Sequence, residues 1–239
     1  MDLSYHKIPK KVTPDRLSDA VVTFTIEDKF SSSYLENLLI GRYNESHPEL
    51  ILNQLKMRVP FVEKEPHHFY ANKFFRIVIL RNTISFNFVT AYPGWEEYLK
   101  WIKAVLSNGE INVRKVSLRY ISVYKDIAIF SPEVLDGEIY FKNVQDFAGT
   151  ELQYRCNVHD FDNQRKVIGE ARVILTNSAM FENADWTESK IDITISSSPF
   201  QGNLDFSYGL LEKLHRHEKI LFYSMLNEAF VDTLNPEYE

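Results

Sequence analysis

Hydrophobic and polar residues follow two different periods along this chain. Alternating or densely apolar runs are typical of β-strands, and apolar residues at spacings of three and four are typical of amphipathic helices. The first pattern predicts strands over residues 21–27, 73–80, 84–88, 113–124, 151–159, 166–176, 191–197 and 204–208. The second predicts helices over residues 34–39, about 47–57, 95–106 and about 210–234.

The helix that follows residue 94 has the clearest sequence signals. Pro93 and Gly94 suit the turn that leads into a helix, and two glutamates follow where the helix dipole favours negative charge. One apolar stripe then consists of Trp95, Tyr98, Leu99, Ile102, Val105 and Leu106. Trp101 falls outside this stripe, so it either lies half-buried beneath a loop or contacts a partner protein.

The order of these elements predicts the fold class. Runs of strands with helices between or after them favour an α+β fold over a parallel α/β sheet. We expect antiparallel strands with helices packed on one face and a long C-terminal helix. Residues 1–239 are enough for one compact unit, which could divide into two subdomains at about 1–130 and 131–239.

Composition and charge narrow the function. The chain has 44% hydrophobic residues, only 8 glycines and a net charge of −6, which disfavours nucleic-acid binding and glycine-rich phosphate loops. Cys156 is the single cysteine, so an internal disulfide is ruled out, and we interpret this residue as a small buried hydrophobe. The chain shows no signal-peptide pattern and no apolar run of membrane-spanning length, which predicts a cytoplasmic protein.

The C-terminal helix contains the main polar cluster. Helical spacing directs His217 and Glu218 toward or beside the apolar face of this helix, where an ionisable pair needs partners. The pair could be a general acid–base or ligand-contacting dyad, or a structural link between the helix and the sheet. The i,i+2 spacing of His215 and His217 separates their imidazoles on a helix, so we predict neither a metal site nor a cofactor.

Arg119 and Tyr120 are the candidate ligand-contacting residues on the predicted strand 113–124. This strand is apolar on both faces, so the arginine must meet a carboxylate or reach solvent. One hypothesis is a buried ion pair between Arg119 and Glu218 that ties the sheet to the helix. The other is that Arg119 binds an anionic ligand.

Three sequence motifs in order resemble one protein family. They are Tyr-Pro-Gly-Trp-Glu-Glu at 92–97, Leu-Arg-Tyr-Ile at 118–121, and His-Glu at 217–218 followed by Phe222. The chain resembles a sporadically distributed family of uncharacterised bacterial and archaeal proteins of about this length. Its patchy distribution implies an accessory role, such as defence, immunity or a toxin–antitoxin system.

Two functions follow from these patterns. The first is a non-enzymatic protein-interaction or regulatory module whose partner is another protein, with Trp101 and Trp186 as interface candidates. Self-association into a homo-oligomer is also open. The alternative is a ligand-binding or enzymatic pocket between the sheet and the C-terminal helix that uses Arg119, His217 and Glu218.

Overall fold

The computed structural model describes residues 8–10, 12–13, 16–27, 32–55, 68–89, 91–107, 110–136, 151–177 and 188–238. The described strands form one nine-stranded antiparallel sheet, which confirms the predicted α+β class. The strands are β1 (Leu17–Ile26), β2 (Asn53–Leu55), β3 (His68–Ala71), β4 (Phe75–Leu80), β5 (Thr83–Phe88), β6 (Val113–Lys125), β7 (Glu151–His159), β8 (Val167–Asn177) and β9 (Glu188–Ser197). Their order across the sheet is β2-β3-β4-β5-β1-β6-β9-β8-β7.

The helical segments include the predicted long C-terminal helix, but this helix ends at Met225 instead of about 234, and a separate short helix follows it. They are α1 (Ser32–Leu35), a π-helical segment (Glu36–Gly41), α2 (Arg42–Ser46), a 3-10 turn (Pro48–Leu50), α3 (Trp95–Leu106), α4 (Leu204–Met225) and α5 (Glu228–Asp232). Gly94 precedes α3 with a φ of 93°, a left-handed conformation that glycine adopts without strain. The predicted start of α3 and all of its stripe except the half-buried Trp95 are confirmed as helical and buried.

Two sequence predictions of local structure are wrong. The segment predicted as a helix over about 47–57 contains only the 3-10 turn before β2, and Ser46 ends α2 instead of capping a new helix. Residues 204–208, predicted as a strand, form the first turn and a half of α4. Their alternation is too short to distinguish a strand from the start of a helix whose apolar face continues beyond it.

The chain divides into two compact units, each made of separate segments. The first unit comprises Met1–Ser18, Arg119–Ile195 and Lys213–Glu239, and the second comprises Asp19–Leu118 and Ser196–Glu212. The segments of the two units interleave along the sequence, whereas the subdomains predicted from sequence would be consecutive.

Tyr98 anchors α3 to the sheet in the second unit. Its side chain is fully buried, and its hydroxyl lies 3.1 Å from the Ala20 carbonyl oxygen and 2.6 Å from the Phe86 carbonyl oxygen. Ala20 is on β1 and Phe86 is on β5, two neighbouring strands. One hydroxyl therefore provides hydrogen bonding for two strands at the point where the helix packs against them.

Alternation of burial, which is strict along β9 and along residues 119–125 of β6, gives the first unit's part of the sheet two distinct faces. On β9, the buried Ile191, Ile193 and Ile195 alternate with the less buried Asp192 and Thr194. We call the buried side, which α4 contacts through Tyr120 and His215, the inner face. We call the opposite side the open face, and its charged side chains are described below. Among the described residues, no helix is both long and apolar enough to cross a membrane.

Candidate functional site

A cluster of three polar side chains lies between β6 and α4 in the first unit. The Tyr120 hydroxyl is 3.3 Å from Nδ1 of His215, and a Glu218 carboxylate oxygen is 3.9 Å from the same nitrogen. Tyr120 and Glu218 are buried, and the His215 side chain is only 16% exposed. The i,i+3 spacing of His215 and Glu218 on the helix explains why they meet.

Burial controls the charge of this cluster. The loss of solvent around His215, together with the smaller effect of the nearby Lys219 charge, lowers the pKa of His215 to about 3. The imidazole is therefore neutral at neutral pH, so the 3.9 Å approach to Glu218 is not an ion pair. In this state the Tyr120 hydroxyl can donate a hydrogen bond to Nδ1, while a proton on His215 would be costly to hold.

His217 faces a different neighbour from Glu218. Its ring stacks on Phe161 with the centroids 3.9 Å apart and an angle of 9°, and the Arg216 guanidinium carbon lies 4.4 Å from the same Phe161 ring. Burial lowers the pKa of His217, and its hydrogen bond to the backbone of His159 partly opposes this. The nitrogen Nε2 is buried and finds no hydrogen-bond partner within the described residues.

The predicted dyad is thus replaced by a different one. It is His215 that lies beside Glu218, whereas His217 stacks on the loop between β7 and β8. The sequence contained the signal, because residues three apart on a helix share a face and adjacent residues do not.

The loop between β7 and β8 is also fastened to α4 by charge. The Lys213 ammonium lies 2.8 Å from a carboxylate oxygen of Asp160 and 3.2 Å from one of Asp162. The Lys213 hydrogen bond is the main cause of a lowered Asp160 pKa. Sequence reasoning missed this contact, since the loop and the helix are about fifty residues apart and no local pattern joins them.

Arg119 lies on the open face, so the expectation of a buried arginine paired with Glu218 is wrong. Its guanidinium donates to Asp192 through Nε at 3.0 Å and through Nη2 at 2.6 Å. The two residues belong to the neighbouring strands β6 and β9, and the arginine side chain is 49% exposed. Alternation along β6 directs Tyr120 to the inner face and Arg119 away from it. The sheet therefore separates Arg119 from His217 and Glu218.

Two more arginines occupy the open face, on β7 and β8. Arg172 donates to the side-chain oxygen of Gln153 at 2.9 Å, and Arg155 lies 3.6 Å from Glu170. Both contacts join β7 to β8. With the pair on β6 and β9, they give the open face three exposed arginines, each hydrogen-bonded or ion-paired to a side chain on an adjacent strand.

The remaining candidates have simpler surroundings. Trp101 is half-buried, with its ring centroid 5.1 Å from that of Phe74 and 5.8 Å from that of Phe75, and its indole N–H donates to Glu97. Its interface role stays a prediction, and Trp186 lies outside the described residues.

Cys156 is exposed, so the prediction that it is buried is wrong. It lies on a strand at the end of the sheet, where one flank lacks a described neighbour. Partial burial and Glu170 raise its pKa, which is the opposite of what an activated thiol needs. Within the described ranges, no group of three or more His, Cys, Asp or Glu residues is placed to hold a metal ion.

No protein-family model, curated protein or solved structure matches this chain. The function must therefore be argued from the geometry of the described residues.

Proposed function

We propose that this protein is a non-enzymatic interaction module that binds another protein through the open face of its first unit. The observation that carries this proposal is the set of three exposed arginines, Arg119, Arg155 and Arg172, each hydrogen-bonded or ion-paired to the adjacent strand. Arginine is enriched among the residues that dominate binding energy at protein interfaces. An arginine already held in one orientation loses less conformational entropy when a partner binds.

Charge balance on this face favours a protein partner over a nucleic acid. Its described basic side chains are interspersed with acidic ones: Arg119, Lys125, Arg155, Arg172 and Lys190 with Glu151, Glu170, Glu188 and Asp192. A mixed face of this kind does not neutralise a run of phosphates. It can instead form specific hydrogen bonds and ion pairs with a surface of complementary pattern. We therefore expect the affinity for the partner to depend only modestly on salt.

The family resemblance suggests where the partner is encoded. Accessory, defence and toxin–antitoxin proteins commonly act on the product of a neighbouring gene, and we propose that this chain regulates or neutralises such a product in the cytoplasm. The single cysteine is in keeping with a reducing compartment.

Co-expression with the product of each adjacent gene tests the proposal. We expect one such product to co-purify with the wild-type chain and to be lost, or weakened at least tenfold, in the double variant Arg119→Ala, Arg172→Ala. Lys100→Ala is the matched control, because Lys100 is a highly exposed cation on α3 in the second unit. Equal binding by all three chains would show that the open face is not the binding surface. Binding by none of them to any neighbouring product would count against the interaction module itself.

A second candidate function uses the cluster of Tyr120, His215 and Glu218 on the inner face. The observation that favours it is the convergence of two buried polar side chains, Tyr120 and Glu218, on one nitrogen atom of His215. This revises the pocket predicted from sequence, because the sheet separates Arg119 from α4. We expect a small ligand of this site to raise the melting temperature of the wild-type chain but not of His215→Gln. A folded His215→Gln chain with an unchanged ligand response would refute this role.

A further inference from the structure

In the part of the chain that the structure describes, β7 is an edge strand with few of the features that prevent pairing with another chain. Among the described strands it lies at one end of the sheet order, and it is nine residues long. Natural edge strands are commonly kept short or carry charged side chains, above all lysine, or proline or a bulge, which prevents pairing with another chain. The sequence of β7 contains no proline, glycine or lysine, and its charged residues are Glu151 and Arg155. The register shift near its end leaves the extra residue on β8, at Ile168, so β7 itself is regular.

The inner face is incompletely covered at this edge. Leu152 and Tyr154 are only partly buried, and Cys156 is exposed, although the next inner-face position, Val158, is buried. On β8, by contrast, the inner-face residues Ala171, Val173 and Leu175 are all buried. The described structure therefore leaves a partly exposed apolar strip of Leu152, Tyr154 and Cys156 along the rim of the sheet, in line with the edge. Within this strip the Tyr154 hydroxyl donates to the sulfur of Met225 on α4.

We propose that the occupant of this edge is a second copy of the chain, paired antiparallel with β7 and with Arg155 on the two-fold axis. This is the only antiparallel register that pairs all nine residues of the strand with their copies. It places Glu151 opposite His159, Leu152 opposite Val158, Gln153 opposite Asn157, and Tyr154 opposite Cys156. Across the interface, a glutamate of one copy lies opposite a histidine of the other, a glutamine lies opposite an asparagine, and the apolar strips of the two copies lie opposite each other. Such a pattern is self-complementary, as a two-fold interface requires.

The centre of the interface contains one unfavourable pair. Arg155 would lie directly opposite Arg155 of the second copy, and like charges in this position are destabilising. Glu170 lies 3.6 Å from Arg155 in each copy and offsets the repulsion. Residues directly opposite each other share a face of the sheet, so the open faces of both copies would point to the same side. The proposal rests on the edge and register of β7, and of the three arginines assigned to the partner above, it involves only Arg155.

Cysteine cross-linking tests the register. In a Cys156→Ser background, Arg155→Cys places a thiol on the axis, where paired strands hold Cα atoms about 4.5–5.5 Å apart, within the range of a disulfide. Asn157→Cys in the same background is the matched control, because its copy lies about 13 Å farther along the strand. We expect a disulfide-linked dimer for the first chain and none for the second. Equal cross-linking of both, or of neither, would overturn the register.

Charge placement tests the same interface without a cross-link. Sedimentation of the wild-type chain should show a reversible dimer. Gln153→Lys with Asn157→Lys opposes two pairs of like charges and should weaken the dimer about tenfold. Gln153→Glu with Asn157→Lys should leave it at least as strong as in the wild type. A wild-type chain that stays monomeric at every concentration, or two double variants with equal dissociation constants, would refute the proposal.

Discussion

Acid sensitivity of the His215 cluster gives the sharpest test of the inner-face geometry. Burial lowers the pKa of His215 to about 3, whereas the unfolded chain has the ordinary histidine pKa of about 6.5. Above about pH 6.5, His215 is neutral in both the folded and the unfolded chain, so its titration does not affect stability. Below that pH the unfolded state binds a proton that the folded state excludes, so stability falls as pH falls from about 6.5 to about 3.

The magnitude follows from the size of the pKa difference. A pH of about 5 lies roughly 1.5 units below the pKa of the histidine in the unfolded chain. This difference corresponds to about 2 kcal/mol of lost stability. His215→Gln removes this titration and keeps a polar side chain next to Tyr120. Between about pH 8 and about pH 5, the wild type should therefore lose about 2 kcal/mol more free energy of unfolding than the variant.

Urea denaturation at several pH values measures this difference directly. Tyr120→Phe is the control, because it removes the hydroxyl near Nδ1 while leaving His215 buried, and it should retain the acid sensitivity of the wild type. Parallel pH profiles for the wild type and His215→Gln would refute the argument, since they would mean that His215 is protonated as easily in the folded chain as in the unfolded one.

Three other predictions test separate parts of the structure. Tyr98→Phe should cost about 1–3 kcal/mol of unfolding free energy, because two buried carbonyls lose their donor, whereas Tyr238→Phe at the exposed C-terminal end should change it by less than about 0.5 kcal/mol. Phe161→Ala should raise the pKa of His217 toward its ordinary value in an NMR titration, because the stacked ring contributes to its burial; an unchanged or lower pKa would contradict this. Asp192→Ala should reduce stability by only about 0–1 kcal/mol, since its ion pair lies on an exposed face, yet it should weaken partner binding measurably; unimpaired binding would count against a functional role of that pair.

The elements predicted correctly from sequence are those in which the period of the apolar residues agrees with the face that is buried in the structure. The hairpin of β7 and β8 was predicted as an antiparallel pair because alternation and turn residues occur together, and the structure confirms it. The start of α3 was predicted from Pro93 and Gly94, and Gly94 indeed has a positive φ. Residues 204–208 were misassigned, because five residues do not reveal that an apolar helical face continues beyond them.

The candidate site was harder to predict because its contacts are not local. Helical spacing indicated that His217 and Glu218 flank the core, but the partner of His217 is Phe161, on a loop that no sequence pattern joins to α4. Apolar residues on both sides of Arg119 suggested that this residue is buried. In the structure its face of the sheet is exposed, and its guanidinium pairs with Asp192 on β9. The partner of a strand residue depends on sheet order, which the sequence alone does not specify.

The most direct test of the interaction module is the mass of the protein in solution with the product of its neighbouring gene. Light scattering coupled to gel filtration should show a stable complex with the wild-type chain and only separate components with the Arg119→Ala, Arg172→Ala variant. Melting curves of the two chains should be nearly the same, because the open-face arginines are exposed. A wild-type chain whose mass is unaffected by any neighbouring product would contradict the proposal.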